Sequence, residues 1–292
     1  MRNKIILGTV QFGVRYGINN LAGKPSQETV NSILDLAFRN NIRLLDSAEA
    51  YGNSQEVIGN YHRTSNNRFD VITKFHSVSD SLPVSLRNRI SENLRVLNVD
   101  SLYCYMFHSF KDFLVHFNVY KEEINELKNA GIIGKFGVSV YTNEEIEGLL
   151  EFDGVDLIQF PFNLLDNNNK RAAMIKKAKS KGIEIHTRST FLQGLFFKQV
   201  DELQGKLIPL RPYLGQVNSV AAASNLRVTD LALNYVTGQE TIDKVLIGVD
   251  SPEQLEDNLR SLQHTISLQA LEQINRLDVK ETELLNPSNW IG

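Results

Sequence analysis

Eight short apolar segments recur along the chain, and longer segments with helical spacing separate them. The apolar segments begin at Lys4, Ile42, Asp70, Leu102, Lys135, Asp156, Ile183 and Lys244. The segments at 26–41, 142–152 and 251–262 repeat apolar residues every three or four positions behind a Ser or Thr, which is typical of a capped helix. This alternation predicts βα units arranged around a parallel sheet.

Eight βα units can close into a (β/α)8 barrel or open into a doubly wound sheet. A dinucleotide-binding doubly wound sheet carries Gly-x-Gly-x-x-Gly after its first strand, whereas here the glycines stand at positions 8, 13 and 17. The spacing therefore favours a (β/α)8 barrel formed by one domain over residues 1–292, a usual length for that fold. The segment 218–236 is predicted to form two helices that are broken at Ser224 and Asn225.

The net charge of the chain is −3, from 31 basic and 34 acidic side chains. Because there is no excess of positive charge, nucleic acid is not an expected partner. The apolar segments are far shorter than the roughly 20 residues that cross a bilayer, and the N-terminus lacks a signal-peptide pattern, so we expect a cytoplasmic protein with no membrane partner. The single cysteine, Cys104, lies in an apolar segment that is typical of a packed thiol. No feature of the sequence indicates an oligomeric state.

Polar side chains stand at the ends of three consecutive predicted strands. Asp46 ends the second, Lys74 the third and His108 the fourth, and Tyr51 lies in the loop after the second. Taken singly, Asp46 can cap a turn, Lys74 can extend to solvent, and the two aromatic side chains can serve packing or structural hydrogen bonds. The carboxyl ends of barrel strands face one mouth, however, so the four together predict a shared site.

These four groups are suited to delivering a proton to a developing alkoxide. A tyrosine with an ordinary pKa near 10 is a weak acid at neutral pH, and a nearby ammonium lowers that pKa by roughly 1–3 units. We expect Lys74 to do this for Tyr51, Asp46 to keep Lys74 protonated, and His108 to orient a carbonyl oxygen or relay a proton. No His-x-x-His pair or cysteine cluster predicts a metal site, so the hydride must come from a bound cofactor.

The segment 44–52, Leu-Leu-Asp-Ser-Ala-Glu-Ala-Tyr-Gly, resembles the Asp-Thr-Ala-x-x-Tyr-Gly signature of the aldo-keto reductases, with Ser47 in place of threonine. Segments 72–75 and 103–109 are similar to the lysine and histidine segments of that family, and the resemblance covers nearly the whole chain. Members are (β/α)8 barrels that reduce carbonyl groups with a nicotinamide cofactor. The resemblance implies that the catalytic residues are Asp46, Tyr51, Lys74 and His108.

The resemblance also implies ligands for the nicotinamide half of the cofactor. Ser139 and Gln159 match the residues that contact its carboxamide, although Val140 stands where asparagine is usual. Arg188 stands where the family often has a tyrosine that stacks on the nicotinamide. A guanidinium there is suited to the cofactor pyrophosphate, to an anionic substrate, or to a structural pair with a carboxylate.

The segment from Gly248 to Asn258 resembles the adenosine-phosphate segment of the family. Its implied phosphate loop, Gly248 to Ser251, leads into a helix whose first amides suit an anion, and Asp257 and Asn258 match the adenine-side pair. Gln254 stands where NADP-preferring members commonly have a basic residue. We therefore expect NADPH as the cofactor, with NADH as an alternative and modest discrimination between them.

The sequence thus predicts an NAD(P)H-dependent reductase that acts on a small-molecule aldehyde or ketone. Segments 11–26 and 187–195 are similar to a bacterial branch of the family that is often associated with surface-polysaccharide sugars, which makes an oxo-sugar the substrate hypothesis. Two alternatives stay open. One is a family-fold protein that senses cofactor or binds a partner, and the other is a Schiff-base enzyme in which Lys74 is the nucleophile and has no carboxylate partner.

Overall fold

Eight parallel strands close into a barrel in chain order in the computed structural model, which describes residues 4–20, 22–76 and 85–290. The strands are β1 Ile5–Gly8, β2 Leu44–Asp46, β3 Asp70–Phe75, β4 Leu102–Phe107, β5 Ile133–Ser139, β6 Leu157–Pro161, β7 Glu184–Arg188 and β8 Lys244–Gly248. β1 pairs with both β2 and β8, which closes the sheet. The predicted (β/α)8 barrel is therefore confirmed, and each of the eight apolar segments overlaps a strand.

Helices follow the strands around the outside of the barrel. They are α1 Val10–Gly13, α2 Gln27–Arg39, α3 Ser54–Thr64, α4 Leu86–Leu97, α5 Phe110–Asn129, α6 Asn143–Leu149, α7 Asn168–Ser180, α8 Arg211–Ala223, α9 Val228–Thr237, α10 Pro252–Ser261 and α11 Leu268–Asn275. Short 3₁₀ turns lie at Leu192–Phe197, Val200–Glu202, Gly205–Leu210, Thr282–Leu285 and Pro287–Asn289. The predicted break between α8 and α9 is confirmed, with Asn225 in the left-handed region at φ 51°.

Helix starts lie where the sequence places capping side chains. The Ser26 hydroxyl accepts a hydrogen bond from the Thr29 amide at the start of α2. Thr142 and Glu145 form a complete capping box on α6. Because each cap satisfies amides that a helix start leaves unpaired, these local signals set the helix boundaries.

Alternate residues of each strand point into the barrel. These inward-facing side chains form an apolar layer in the barrel and a polar layer at its carboxyl end. Six buried residues form a cluster apart from the main core: Ile6, Leu44, Ile72, Cys104, Met106 and Leu157. Side chains two positions apart point to the same face of a strand. Asp46, Lys74 and Gln159 therefore face the barrel interior one step above Leu44, Ile72 and Leu157. Cys104 is a packed thiol, as predicted.

Helix α1 rests directly on the loop that carries Tyr51. A Cβ atom added to Gly13, the last residue of α1, would lie 1.7 Å from the Tyr51 carbonyl oxygen and 2.7 Å from the Ser54 amide nitrogen. Both of these neighbours are backbone atoms, which cannot rotate away. The backbone contact at Gly13 thus fixes the height of the Tyr51 loop above the barrel.

We expect Gly13→Ala to lower the free energy of unfolding by about 2 kcal/mol or more, because the added methyl group overpacks a rigid contact. Gly215→Ala in α8 is the matched control. A Cβ at Gly215 meets nothing within 4 Å, so alanine there should be neutral or stabilising by up to about 1 kcal/mol. Urea unfolding, monitored by circular dichroism, measures the free energy of unfolding of both variants. Equal stability of Gly13→Ala and wild type would contradict the packing of α1 on this loop.

Candidate active site

A cavity of about 1110 Å³ opens at the carboxyl ends of the strands. Most of the residues singled out in the sequence line it: Asp46, Tyr51, His108, Ser139, Gln159, Arg188, Gly248, Gln254, Asp257 and Asn258. Lys74 is buried beneath this surface, and Ser251 caps α10. The barrel therefore brings residues from six of its strand ends or the segments after them to one place, as its topology requires.

Asp46 and Lys74 form an ion pair that is buried inside the barrel mouth. Their exposed fractions are 2% and 1%. Lys74 Nζ donates to the Asp46 carboxylate and to the Ser47 carbonyl oxygen at 3.0 Å. Gln159 Nε2 donates to the second Asp46 oxygen at 2.8 Å. A buried pair is stable only when its remaining hydrogen-bonding groups are also satisfied, and here β2, β3 and β6 together meet that condition.

The Tyr51 ring lies between Lys74 and His108. Lys74 Nζ is 5.3 Å from the centre of the Tyr51 ring, and the His108 ring packs edge-on at 5.6 Å between centroids. Burial raises the pKa of Tyr51, and the negative charge of Asp46 raises it further, while Arg188 opposes both. The prediction that Lys74 brings this pKa below its ordinary value is therefore wrong. Asp46 neutralises the Lys74 charge, so removal of the phenol from water dominates, and the phenol keeps its proton.

His108 is half-buried and stays neutral at physiological pH. Burial lowers its pKa to about 3, and the positive charges of Lys74, Arg188 and His76 act in the same direction. Its Nδ1 is buried and has no hydrogen-bond partner within the described part of the chain. A neutral imidazole has one N–H donor and one acceptor, so it can orient a carbonyl oxygen without supplying a positive charge.

Arg188 ends β7 and lies over the ring of Tyr141, with its guanidinium carbon 4.1 Å from the ring centroid. Arg188 Nη2 donates to the Val140 carbonyl oxygen at 3.3 Å. No carboxylate lies within ion-pair distance of Arg188 among residues 4–20, 22–76 and 85–290, so the alternative of a structural carboxylate pair is wrong. Its positive charge acts on Tyr51 and on His108.

The nicotinamide-side candidates Ser139 and Gln159 are neighbours on β5 and β6, and both are buried. Gly248 ends β8, where an added Cβ would lie 2.3 Å from Gln11 Nε2. Gln11 Oε1 is buried without a partner in the described residues. The backbone of Gly248, which has no side chain, and the unpaired Gln11 Oε1 suit a polar ligand group such as an amide or a phosphate ester. The sequence analysis missed Gln11, whose signal is its position between Gly8 and Gly13 in the short helix α1 that follows β1.

In the segment predicted to bind adenosine, the side chains of Gln254 and Ser251 already accept hydrogen bonds from nearby backbone amides. Gln254 Oε1 accepts a hydrogen bond from the Asp250 amide at 2.8 Å. The Ser251 hydroxyl accepts from the Gln254 amide at 3.4 Å, as the cap of α10. These contacts order the turn before α10. That turn and the start of the helix line the cavity with Gly248, Asp250, Glu253 and Gln254.

Asp257 is held by two arginines, Arg227 and Arg260. Arg227 Nη1 donates to both Asp257 oxygens at 2.8 and 3.0 Å, and Arg260 Nη2 donates at 3.3 Å. Its carboxylate is therefore largely compensated, while the neighbouring Asn258 amide is buried and lines the cavity. Of the predicted adenine-side pair, Asn258 has the more available polar group.

The segment after α1 bridges to loops on the far side of β8. The Ile18 amide donates to the Gln193 carbonyl oxygen at 3.1 Å, and Gln193 Nε2 donates to the Tyr16 hydroxyl at 2.8 Å. Asn20 Nδ2 donates to Asp250 Oδ1 at 3.2 Å. Since β8 lies between β7 and β1, this strap encloses the cavity above the end of β8. The sequence analysis did not find it, because its partners are distant in sequence.

The described ranges contain neither a candidate metal cluster nor a helix that could span a membrane. No group of three or more His, Cys, Asp or Glu side chains in residues 4–20, 22–76 and 85–290 could hold a metal ion. No helix within those ranges has both the length and the apolar character needed to cross a membrane.

Comparison with known proteins identifies the family. The profile of the aldo/keto reductase family matches residues 4–279. An NADH-specific methylglyoxal reductase of Escherichia coli (strain K12) is 25% identical over 310 residues, covering 90% of this chain and 94% of that protein. The aldo-keto reductase YhdN of Bacillus subtilis (strain 168) is 28% identical over 261 residues, covering 80% and 77%.

Solved structures share the fold. The aldo-keto reductase AKR11C1 from Bacillus halodurans, in its holo form, superposes with a TM-score of 0.75 at 18% identity, covering 94% of this chain and 92% of that one. The glycerol dehydrogenase AKR11B4 from Gluconobacter oxydans gives a TM-score of 0.74 at 18% identity, covering 94% and 90%. From the family profile and the named reductases, this chain belongs to the aldo/keto reductase family and is an NAD(P)H-dependent oxidoreductase.

Proposed function

We propose that the protein reduces an aldehyde or ketone and that Tyr51 is the general acid. The observation that carries this proposal is a protonated, half-buried phenol at a cavity wall, beside a lysine that a carboxylate holds in place. The bound nicotinamide supplies the hydride. The alkoxide that forms on the substrate is a far stronger base than a phenolate, so a phenol that has kept its proton can transfer it.

The residues around Tyr51 influence the negative charge that proton transfer leaves on its phenolic oxygen. The positive charge of Arg188 favours the phenolate, whereas Lys74, 5.3 Å from the centre of the Tyr51 ring, is compensated by Asp46 and limits how strongly that carboxylate opposes it. These charges are in position before the reaction, so they act on the developing phenolate without rearrangement. Neutral His108 is suited to donate a hydrogen bond to the carbonyl oxygen and hold it near the phenol.

The Schiff-base alternative is weakened by the position of Lys74. Its ammonium is 1% exposed and donates to Asp46 and Ser47. A lysine nucleophile must be free and unprotonated, and an adjacent carboxylate opposes both conditions. Trapping with borohydride and substrate should leave Lys74 unmodified. The same geometry favours an enzyme over a sensing or interaction subunit, since the four groups are arranged for a proton transfer.

For the cofactor we propose that Ser139 and Gln159 hold the nicotinamide carboxamide and that the Gly248–Ser251 turn holds phosphate. NADPH is the expected cofactor and NADH a close alternative, because Gln254 provides no positive charge for a 2′-phosphate. For the substrate we propose an oxo-sugar, since the tyrosines Tyr16 and Tyr141 line the cavity and offer both flat faces and hydroxyl groups.

We expect each reduced cofactor to bind saturably in a fluorescence titration, with affinities within about tenfold of each other and no effect of a chelator. Gln254→Arg should raise the affinity for NADPH relative to NADH by about tenfold or more, because a charge-assisted hydrogen bond to phosphate contributes about 1.5–3 kcal/mol. A large NADPH preference in wild type, or no response to Gln254→Arg, would show that the 2′-phosphate lies elsewhere.

Tyr51→Phe should lower turnover by at least about 10²–10⁴-fold while cofactor affinity changes little, because only the proton donor is lost. Lys74→Met should cause similar damage by leaving Asp46 as an uncompensated negative charge beside the phenolate, and Asp46→Asn a comparable or smaller loss. The effects should not add in the Tyr51→Phe/Lys74→Met double variant, since both residues serve one proton transfer. If Tyr51→Phe keeps more than about a tenth of wild-type turnover, the phenol is not the acid.

His108 should remain neutral to well below pH 5. We expect its ring resonances, assigned by comparison with His108→Gln, to be constant from pH 8 to 5 in the folded protein and to titrate near the ordinary value of 6.5 in urea. The unfolded chain binds this proton at a higher pH than the folded chain. The contribution of His108 to the free energy of unfolding therefore declines as the pH falls from 6.5 toward about 3. Titration of the folded ring near pH 6.5 would contradict the neutral role.

A further inference from the structure

The guanidinium of Arg188 lies at the reacting end of the cavity without a negative partner. It is half-buried, it packs flat on Tyr141, and one of its five N–H groups is used by the Val140 carbonyl. It lines the same cavity as Tyr51, His108 and Tyr141. A partly buried cation with no counter-charge costs free energy, so its environment is completed by an anion from outside the chain.

The acids that line the cavity do not supply that anion. Among the described lining residues they are Asp46, Asp250, Glu253 and Asp257. Asp46 is occupied by Lys74 and Gln159. The other three lie after β8 or on α10, at the adenosine-side end. The region around Tyr51 therefore carries one uncompensated positive charge, on Arg188.

The cofactor is a less suitable partner for the positive charge of Arg188 than a substrate is. An oxidised nicotinamide ring is cationic and would be repelled by a neighbouring guanidinium. The cofactor pyrophosphate is proposed to bind the turn after β8, where Gly248 and Asp250 line the cavity. A substrate, by contrast, must place its carbonyl oxygen beside Tyr51 and His108, which line the same cavity as Arg188.

We propose that Arg188 binds a carboxylate of the substrate, so that the preferred substrates are carbonyl compounds that also carry a carboxylate, including oxo-sugar acids. This inference rests on the proposed carbonyl reduction and narrows its substrate class. The planar fork of an arginine matches both oxygens of a carboxylate. Tyr141 and the Val140 carbonyl fix the plane of that fork before the substrate arrives, which reduces the entropy lost on binding.

The test compares substrates that differ in one charge. The probes are 2-, 3- and 4-carboxybenzaldehyde and their methyl esters, each assayed for kcat/KM with the wild type and with Arg188→Gln and Arg188→Lys. For at least one position, wild type should prefer the acid over its ester by about 10- to 100-fold, the range expected of a charge-assisted hydrogen-bonded pair. Arg188→Gln should reduce that ratio to near one, and Arg188→Lys should keep part of it.

Arg15 provides the matched control. It lines the same cavity but is exposed, and its Nε donates to the Asn20 carbonyl oxygen at 3.1 Å. Arg15→Gln should leave the acid-to-ester ratio at its wild-type value, which separates a specific contact from a general positive potential. Thermal unfolding of each variant checks that the fold is retained.

A binding measurement separates this inference from the proposed reaction. Benzoate should bind the cofactor-loaded wild type in calorimetry and bind Arg188→Gln about tenfold or more weakly. Arg188-dependent benzoate binding without turnover of any aldehyde would support the anion site and contradict the reduction. Turnover with equal acid-to-ester ratios and equal benzoate affinity in wild type and Arg188→Gln would overturn the anion site and leave the reduction standing.

Discussion

The buried Asp46–Lys74 pair is the interaction on which the site depends. Each carboxylate oxygen has its own donor, one from Lys74 and one from Gln159, so the pair joins β2, β3 and β6 across the barrel mouth. Removing either charge would leave the other buried and uncompensated, which is far more costly than the pair itself is favourable. The pair is therefore a strong constraint on the geometry around Tyr51, and that constraint has a chemical use because Lys74 lies at the face of the Tyr51 ring.

The electrostatics of the mouth follow from which charges are already paired. Lys74 is compensated by Asp46, so it does not make the free phenol more acidic, and burial keeps the proton on Tyr51. Such a phenol is protonated but only weakly acidic. It donates its proton only when a strong base such as an alkoxide forms beside it. Arg188, which has no acid partner in the described residues, is the cation free to act on both the phenol and an incoming ligand.

The two ends of the cavity are built differently. The end near Tyr51 has the buried Asp46–Lys74 ion pair, three tyrosines and a neutral histidine. The end near α10 has carboxylates, a helix start and the strap that Asn20 joins to Asp250. A long ligand with a reactive group at one end and an anchoring group at the other is suited to such a cavity, since binding at the far end can position the reacting centre.

The sequence by itself determined the barrel, the helix starts and the polar residues that end the strands, because periodicity, caps and strand order are local or topological properties. It did not determine the pKa of Tyr51, for which the sequence pattern led to the wrong direction. Partners far apart in sequence, such as Asp46 and Gln159 at a separation of 113 positions, decide which charges are compensated. The tertiary structure alone decided burial and pairing, because both depend on all of the strands that surround a group rather than on the strand that carries it.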